Sequence, residues 1–106
     1  MNINTWVKEI YVNAKEHGWH DEPRSFGDIV ALCHSELSEA LEEYRANKGN
    51  LYYNGEKPEG INIELIDCVI RIFDYLGSKG VNVEELMKIK HEYNKTRTYR
   101  HGNKKI

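Results

Sequence analysis

The sequence predicts an all-α protein, a four-helix bundle forming one domain and completed by oligomerisation. Three observations lead there. Apolar residues recur at spacings of three and four in four separate stretches, the period of a helix face. These stretches open on capping residues and close on glycine or a Lys-Gly-Asn turn. The connections between them are short, and 106 residues is the length of a single domain.

The first helix is expected from about Asn4 to Glu16, with Trp6, Val7, Ile10, Tyr11 and Ala14 on its apolar side. Gly18 stands just past its end, where a left-handed C-cap belongs. The second begins at Ser25, with Asp28 three residues on in the manner of a capping box. It runs to about Asn47 and stops at Lys48-Gly49-Asn50; its core line reads Phe26, Val30, Cys33, Leu37, Leu41 and Tyr44. The third spans Ile61 to Ser78, before Gly80, with Leu65, Ile66, Val69, Ile70, Ile72, Phe73 and Leu76 filling one broad side. The fourth opens on Asn82 as N-cap, with Glu85 at N3 and Val81 against Leu86 as a hydrophobic staple; it fades near Thr96. No stretch alternates as a strand should. Loops 18–24 and 48–60 join the helices, and the domain covers 1–106, with a basic, partly flexible tail from about 97.

Composition removes several classes. No apolar run is long enough for a membrane span, and MNINTWVKEI lacks the basic and apolar regions of a secretory leader. Two cysteines make no disulfide framework, which predicts reduced thiols and a cytoplasmic location. A net charge of −2 argues against a bulk nucleic-acid binder. That net figure conceals a split: residues 1–89 hold 9 basic and 16 acidic side chains, whereas 90–106 hold 6 basic and one acidic.

Two acidic strips carry the chemical signal. Glu36 and Glu39 on the second helix, and Glu64 and Asp67 on the third, are each i,i+3 pairs whose carboxylates are neighbours on one face. Either pair alone reads as a solvated surface. Together they say more. Leu32 lies within the glutamate strip, like charges at this spacing repel, and a hairpin loop can bring the two strips together. A hard divalent cation is the natural remedy, and Mg²⁺ takes oxygen ligands and bridges carboxylates to substrate phosphates; Mn²⁺ is an alternative occupant. Zinc-type histidine and cysteine spacings are absent. In the tail, Lys90, Asn94, Arg97, His101 and Lys104 recur at spacings of three and four, a set suited to a polyphosphate. The plainer reading is a charged, frayed C-terminus.

The segments HSELSEALEEYR (34–45), ELIDCVIRIFDY (64–75) and KHEYNKTRTYRHGNKK (90–105) resemble a MazG-type nucleoside triphosphate pyrophosphohydrolase of the all-α NTP pyrophosphatase superfamily. Its hallmark is E-x-x-E followed on the next long helix by E-x-x-D, and the resemblance runs from Trp6 to Lys105. It implies that Glu36, Glu39, Glu64 and Asp67 are the Mg²⁺ ligands and catalytic centre. It also implies hydrolysis of an NTP to an NMP and pyrophosphate, and a homodimer or homotetramer with sites near the subunit interface. Ser35 and Ile63 stand where fuller members carry a further acid. In this reading Glu39 orients or deprotonates the attacking water. Lys90, Asn94 and Arg97 hold the phosphates, with Arg100, His101 and Lys104 as further candidates, and Trp19 is a candidate for stacking on the base.

Other residues are read more simply. Trp6 belongs to the core, His34 to the surface, and Cys33 and Cys68 to packing. Trp19, Tyr52 and Tyr53 are read first as plugs at an end of the bundle, with base contact as the sharper alternative and subunit contact also open for the tyrosines, and Arg71 with Asp74 reads as an i,i+3 ion pair of little consequence. The competing function is a catalytically silent helical oligomer that docks a partner through its basic tail.

Overall fold

Each helix starts where something replaces the missing partners of its first amides. In the computed structural model, residues 1–100 are described. Asn2 caps α1 (Ile3–Glu16) by accepting from Thr5 N at 2.8 Å. Ser25 caps α2 (Phe26–Arg45) through Asp28 N at 3.0 Å, and Asn82 caps α4 (Val83–Thr96) through Glu85 N at 3.1 Å. All three are short polar side chains of the preferred N-cap type. Gly18, at φ 84°, closes α1 as expected.

The start of α3 (Ile61–Ser78) has no side-chain cap. Its first amides instead donate to a turn: Ile61 N to Gly49 O at 3.3 Å and Asn62 N to Asn50 O at 3.1 Å. The two backbones meet so closely at Gly60, φ 125°, that a Cβ there would lie 2.5 Å from Asn50 O. The Lys48-Gly49-Asn50 segment, expected only to stop the second helix, therefore also starts the third.

Between them the loop contains a feature not expected: a hairpin of β1 (Tyr52–Asn54) and β2 (Lys57–Glu59), antiparallel with Tyr52 opposite Glu59. Asn54-Gly55, a strong hairpin dipeptide, is the signal that marks it in the sequence, and Gly55 takes φ 65°. Tyr52 fastens this hairpin to α2 by donating its hydroxyl to Glu43 at 2.9 Å. Partial burial and that hydrogen bond push the phenol up to about 12.

The α2 and α3 helices pack along each other, α1 packs on α3, and α4 touches α1. The α1–α3 approach is set by Gly77, where a Cβ would sit 2.8 Å from Tyr11 Cβ and 3.1 Å from Val7 O. The α1–α4 contact is a reciprocal cap. Glu84 N donates to Asn4 Oδ1 at 3.0 Å, and Asn4 N to Glu84 Oε1 at 3.1 Å.

The protein is mostly helical, as predicted, but its amphipathic faces are arranged differently from the expectation. Among the described residues the buried apolar set is only Val7, Ala40, Cys68 and Val83. Glu36 and Cys68 face inward, while Leu65, Ile66, Val69, Ile70 and Ile72 on α3 are exposed. Phe26, Leu37, Leu41 and Tyr44 of the supposed core line on α2 are exposed too, as is Trp6 on α1. On α4, Leu86, Met87, Ile89 and Tyr93 are all more than half exposed. The acidic strip of α3 meets α2 through Arg71 and Glu36, α1 meets α3 at Gly77, and five of the seven apolar residues of α3 look outward while Phe73 and Leu76 are half-buried. No helix among the described residues is long and apolar enough to cross a membrane.

Candidate functional site

The packing of α2 on α3 brings Glu36, Glu64 and Asp67 together, with one carboxylate oxygen from each lying within 4.8 Å of the others. Glu36 is buried and the other two half-buried. Charge crowding follows. Partial burial, then Glu39 and Asp67 alongside, push Glu64 up to about 7. Burial and the charge of Glu36 also raise Asp67, opposed by a hydrogen bond with Glu64 and by Arg71. Glu39 is exposed and stands at the rim, against Glu64. The four acids of the two strips thus form an inner trio and one outer member. Glu43, next along the α2 strip, is turned to Tyr52 instead.

The donor set is all oxygen and anionic, which suits a hard cation such as Mg²⁺ or Mn²⁺. Repulsion among these carboxylates is what such an ion would relieve.

Two partners differ from those the sequence suggested. Arg71 does not pair with Asp74; its Nε donates to Glu36 Oε1 at 2.7 Å. Asp74 instead meets His20, Nε2 to Oδ1 at 2.6 Å, and the His20 ring packs edge-on against Tyr11 at 5.0 Å. The His20–Asp74 contact ties the 17–25 connection to α3. Arg71 shares the helical strip of Glu64 and Asp67 at i+7 and i+4, so its placement beside the acids was legible in the spacing. His20 gave no such sign.

Two members of the trio, Glu36 and Asp67, line a cleft of about 990 Å³; Glu64 and Glu39 do not. Glu36, Asp67 and Arg71 form one part of its wall, while Trp6, Trp19 and Arg24 stand on the α1 and loop side. Trp19 is exposed, with the Arg24 guanidinium 5.2 Å from its ring centre. A flat aromatic face and a cation therefore border the same cleft as the carboxylates. Trp6, exposed rather than core, adds a second aromatic.

The basic residues of α4 are placed differently. Lys90 and Arg97 flank the ring of Tyr93 at 5.1 and 5.7 Å, and Arg100 lies over Tyr99 at 5.7 Å. Lys90, Asn94, Arg97 and Arg100 are exposed, and none lines the cleft. One chain does not bring them to the carboxylates. His101 and Lys104 lie outside the described residues. The two thiols are neighbours on α2 and α3, and burial together with Cys68 pushes the Cys33 thiol up, away from the thiolate that nucleophilic chemistry needs.

Protein-family models, curated proteins and solved structures were compared with this chain, and none matches it.

Proposed function

We propose that the protein is a Mg²⁺-dependent nucleoside triphosphate pyrophosphohydrolase, of the MazG-like kind that its motifs resemble. The observation that carries this reading is the trio Glu36, Glu64 and Asp67, gathered from two helices, with Glu36 and Asp67 in the wall of a cleft of about 990 Å³. Glu36, Glu64 and Asp67 would hold the cation, with Glu39 completing the set from the rim. A cation held there would supply an acidified water and would neutralise charge on the leaving pyrophosphate. Water attacks the α-phosphorus, the α–β bridging P–O bond breaks, and NMP and pyrophosphate leave. Glu39, exposed beside Glu64, takes or orients a proton of the attacking water. Trp19 offers a face for the base, and Arg24 and Arg71 offer charge to the phosphates.

The active form in this proposal is a homodimer or a larger assembly, and the partner is a second copy of this chain. The described chain exposes 8452 Å², whereas a monomer of 12.4 kDa is expected to expose about 6,100 Å². Its radius of gyration is 16.4 Å, against about 13 Å for a globule of this length. Part of this excess of about 2,300 Å² is the exposed apolar side of α2 and α3, which a second copy would cover. Apolar residues at i, i+4 and i+7 on α2 (Leu37, Leu41, Tyr44) and α3 (Leu65, Val69, Ile72) give the surface for it. An assembly could also bring α4 of one copy, with Lys90, Asn94 and Arg97, toward the acids of another.

The test is a panel of canonical and modified ribo- and deoxynucleoside triphosphates, assayed for pyrophosphate with Mg²⁺ and with EDTA. Release that requires Mg²⁺ and disappears in Asp67→Ala supports the proposal. No release from any nucleotide, with no Mn²⁺ bound at the cluster, refutes it. The second reading, an interaction module, draws on the basic and aromatic surface of α4 lying apart from the cleft. Salt-sensitive binding of a nucleic acid or acidic partner without hydrolysis would favour it.

A further inference from the structure

We propose that Arg71 is the counterion of the unmetallated site, displaced when the cation binds and then free to hold the substrate's phosphates. This rests on the metal-dependent reading above and adds a switch between two partners for one side chain.

The first observation is the bond itself. Glu36 has a side chain only 9 % exposed, and a buried carboxylate without a partner is strongly disfavoured. Arg71 Nε supplies the partner at 2.7 Å. Among the described residues it is the one cation in a salt bridge to the trio. The second point is electrostatic, since Arg71 and a cation held by the trio would share the carboxylate of Glu36. Glu36 would serve as one of the oxygen ligands of a divalent cation held by the trio. That would place two positive groups on one carboxylate in a poorly hydrated setting, where like charges repel strongly. The cation is held by several acids and Arg71 by one, so Arg71 is the group that moves.

The third observation gives its destination. Only Nε of Arg71 is engaged; its two terminal nitrogens make no hydrogen bond to the described residues. The side chain is 33 % exposed and lines the cleft with Asp67. Asp67 is four residues earlier on the same helix, one turn away. A phosphate held near Asp67 through the cation is therefore within reach of the guanidinium after a rotamer change. The planar fork then offers paired N–H donors to phosphate oxygens, which a lysine cannot reproduce. Metal binding would thereby prepare the phosphate site, and by linkage each ligand would tighten the other.

The experiment measures Mn²⁺ binding by calorimetry in the full chain without nucleotide, for the wild type, Arg71→Met and Arg71→Lys. It then measures binding of an α,β-imido deoxynucleoside triphosphate in saturating Mn²⁺, with circular dichroism as the check on folding. Arg71→Met keeps the aliphatic stem and removes the competing charge. It should bind Mn²⁺ at least threefold tighter than the wild type and the analogue at least tenfold weaker, with Arg71→Lys between the two. A residue that only supports the fold would weaken both. Mn²⁺ binding unchanged or weakened in Arg71→Met, or an unchanged analogue affinity, overturns the inference, as does loss of helix in both variants. If Arg71→Met alone unfolds, Arg71→Lys decides by the same two signs. Should the wild type take up no Mn²⁺, the metal-dependent reading itself fails; if it takes up Mn²⁺ and the opposed shifts are missing, only the role of Arg71 fails.

Discussion

Leu41→Glu should prevent the proposed assembly and, with it, destabilise the fold. Leu41 is 47 % exposed on α2, and Leu65 and Val69 on α3 are 43 % and 39 % exposed. Complete burial of a leucine is worth roughly 1.5–3 kcal/mol, so covering the exposed half contributes about 1 kcal/mol. A two-fold interface counts each position twice, which makes Leu41→Ala cost about 2 kcal/mol and weaken the dimer about 30-fold. Leu41→Glu also buries a carboxylate on each side, bringing the loss to about 4 kcal/mol or more, about a thousandfold in Kd. The separated chain would keep Val7, Ala40, Cys68 and Val83 as its buried apolar set, too little to hold four helices together. Sedimentation equilibrium at micromolar concentrations, with far-ultraviolet circular dichroism on the same samples, reads both effects. We expect a wild-type mass of at least twice 12.4 kDa, and dissociation with loss of helix for Leu41→Glu. A fully helical wild-type monomer at these concentrations refutes the reasoning.

Three further outcomes are expected. Glu64 titrates at about 7 in the folded chain against 4.5 for a free glutamate. The folded state therefore binds the extra proton between those values, and metal-free stability falls as pH rises through that window. Solvent screening at a half-buried group limits the effect to about 1 kcal/mol. Melts in EDTA should show a higher Tm at pH 5.5 than at pH 7.5, Mg²⁺ should stabilise more at the higher pH, and Glu64→Gln should flatten both trends. Asp67→Ala should lower pyrophosphate release by at least about a hundredfold, a loss of several kcal/mol in transition-state stabilisation, while circular dichroism shows the helices intact; undiminished release would remove Asp67 from the site. Gly77→Ala forces a methyl to within 2.8 Å of Tyr11 Cβ and should cost about 1–3 kcal/mol. A calorimetric Tm equal to that of the wild type would show that α1 and α3 do not approach as closely as described.

Much of the local architecture was legible in the sequence because its causes are local. Asn82 with Glu85, and Ser25 with Asp28, satisfy amides three residues away, so helix starts can be read from four-residue patterns. The 3.6-residue period put Glu36 beside Glu39 and Glu64 beside Asp67 before any packing was known. The signal of the Asn54-Gly55 hairpin is equally local, a two-residue turn that helical periodicity does not display.

What only the tertiary structure decided were relations between elements. Spacing said that Arg71 and Asp74 share a strip, yet partners across the helix packing, Glu36 and His20, compete for them and win. A buried or half-buried charge is held by whichever opposite charge lies nearest in space, and i,i+3 proximity on an exposed face is worth little. The direction of the faces was also out of reach. Amphipathicity shows that α3 has an apolar side and an acidic side; it does not show which one the rest of the chain covers. Here α2 packs on the acidic side, and Leu65, Ile66 and Val69 are left exposed. Periodicity along one helix fixes angles around its own axis, whereas burial depends on where the other helices stand.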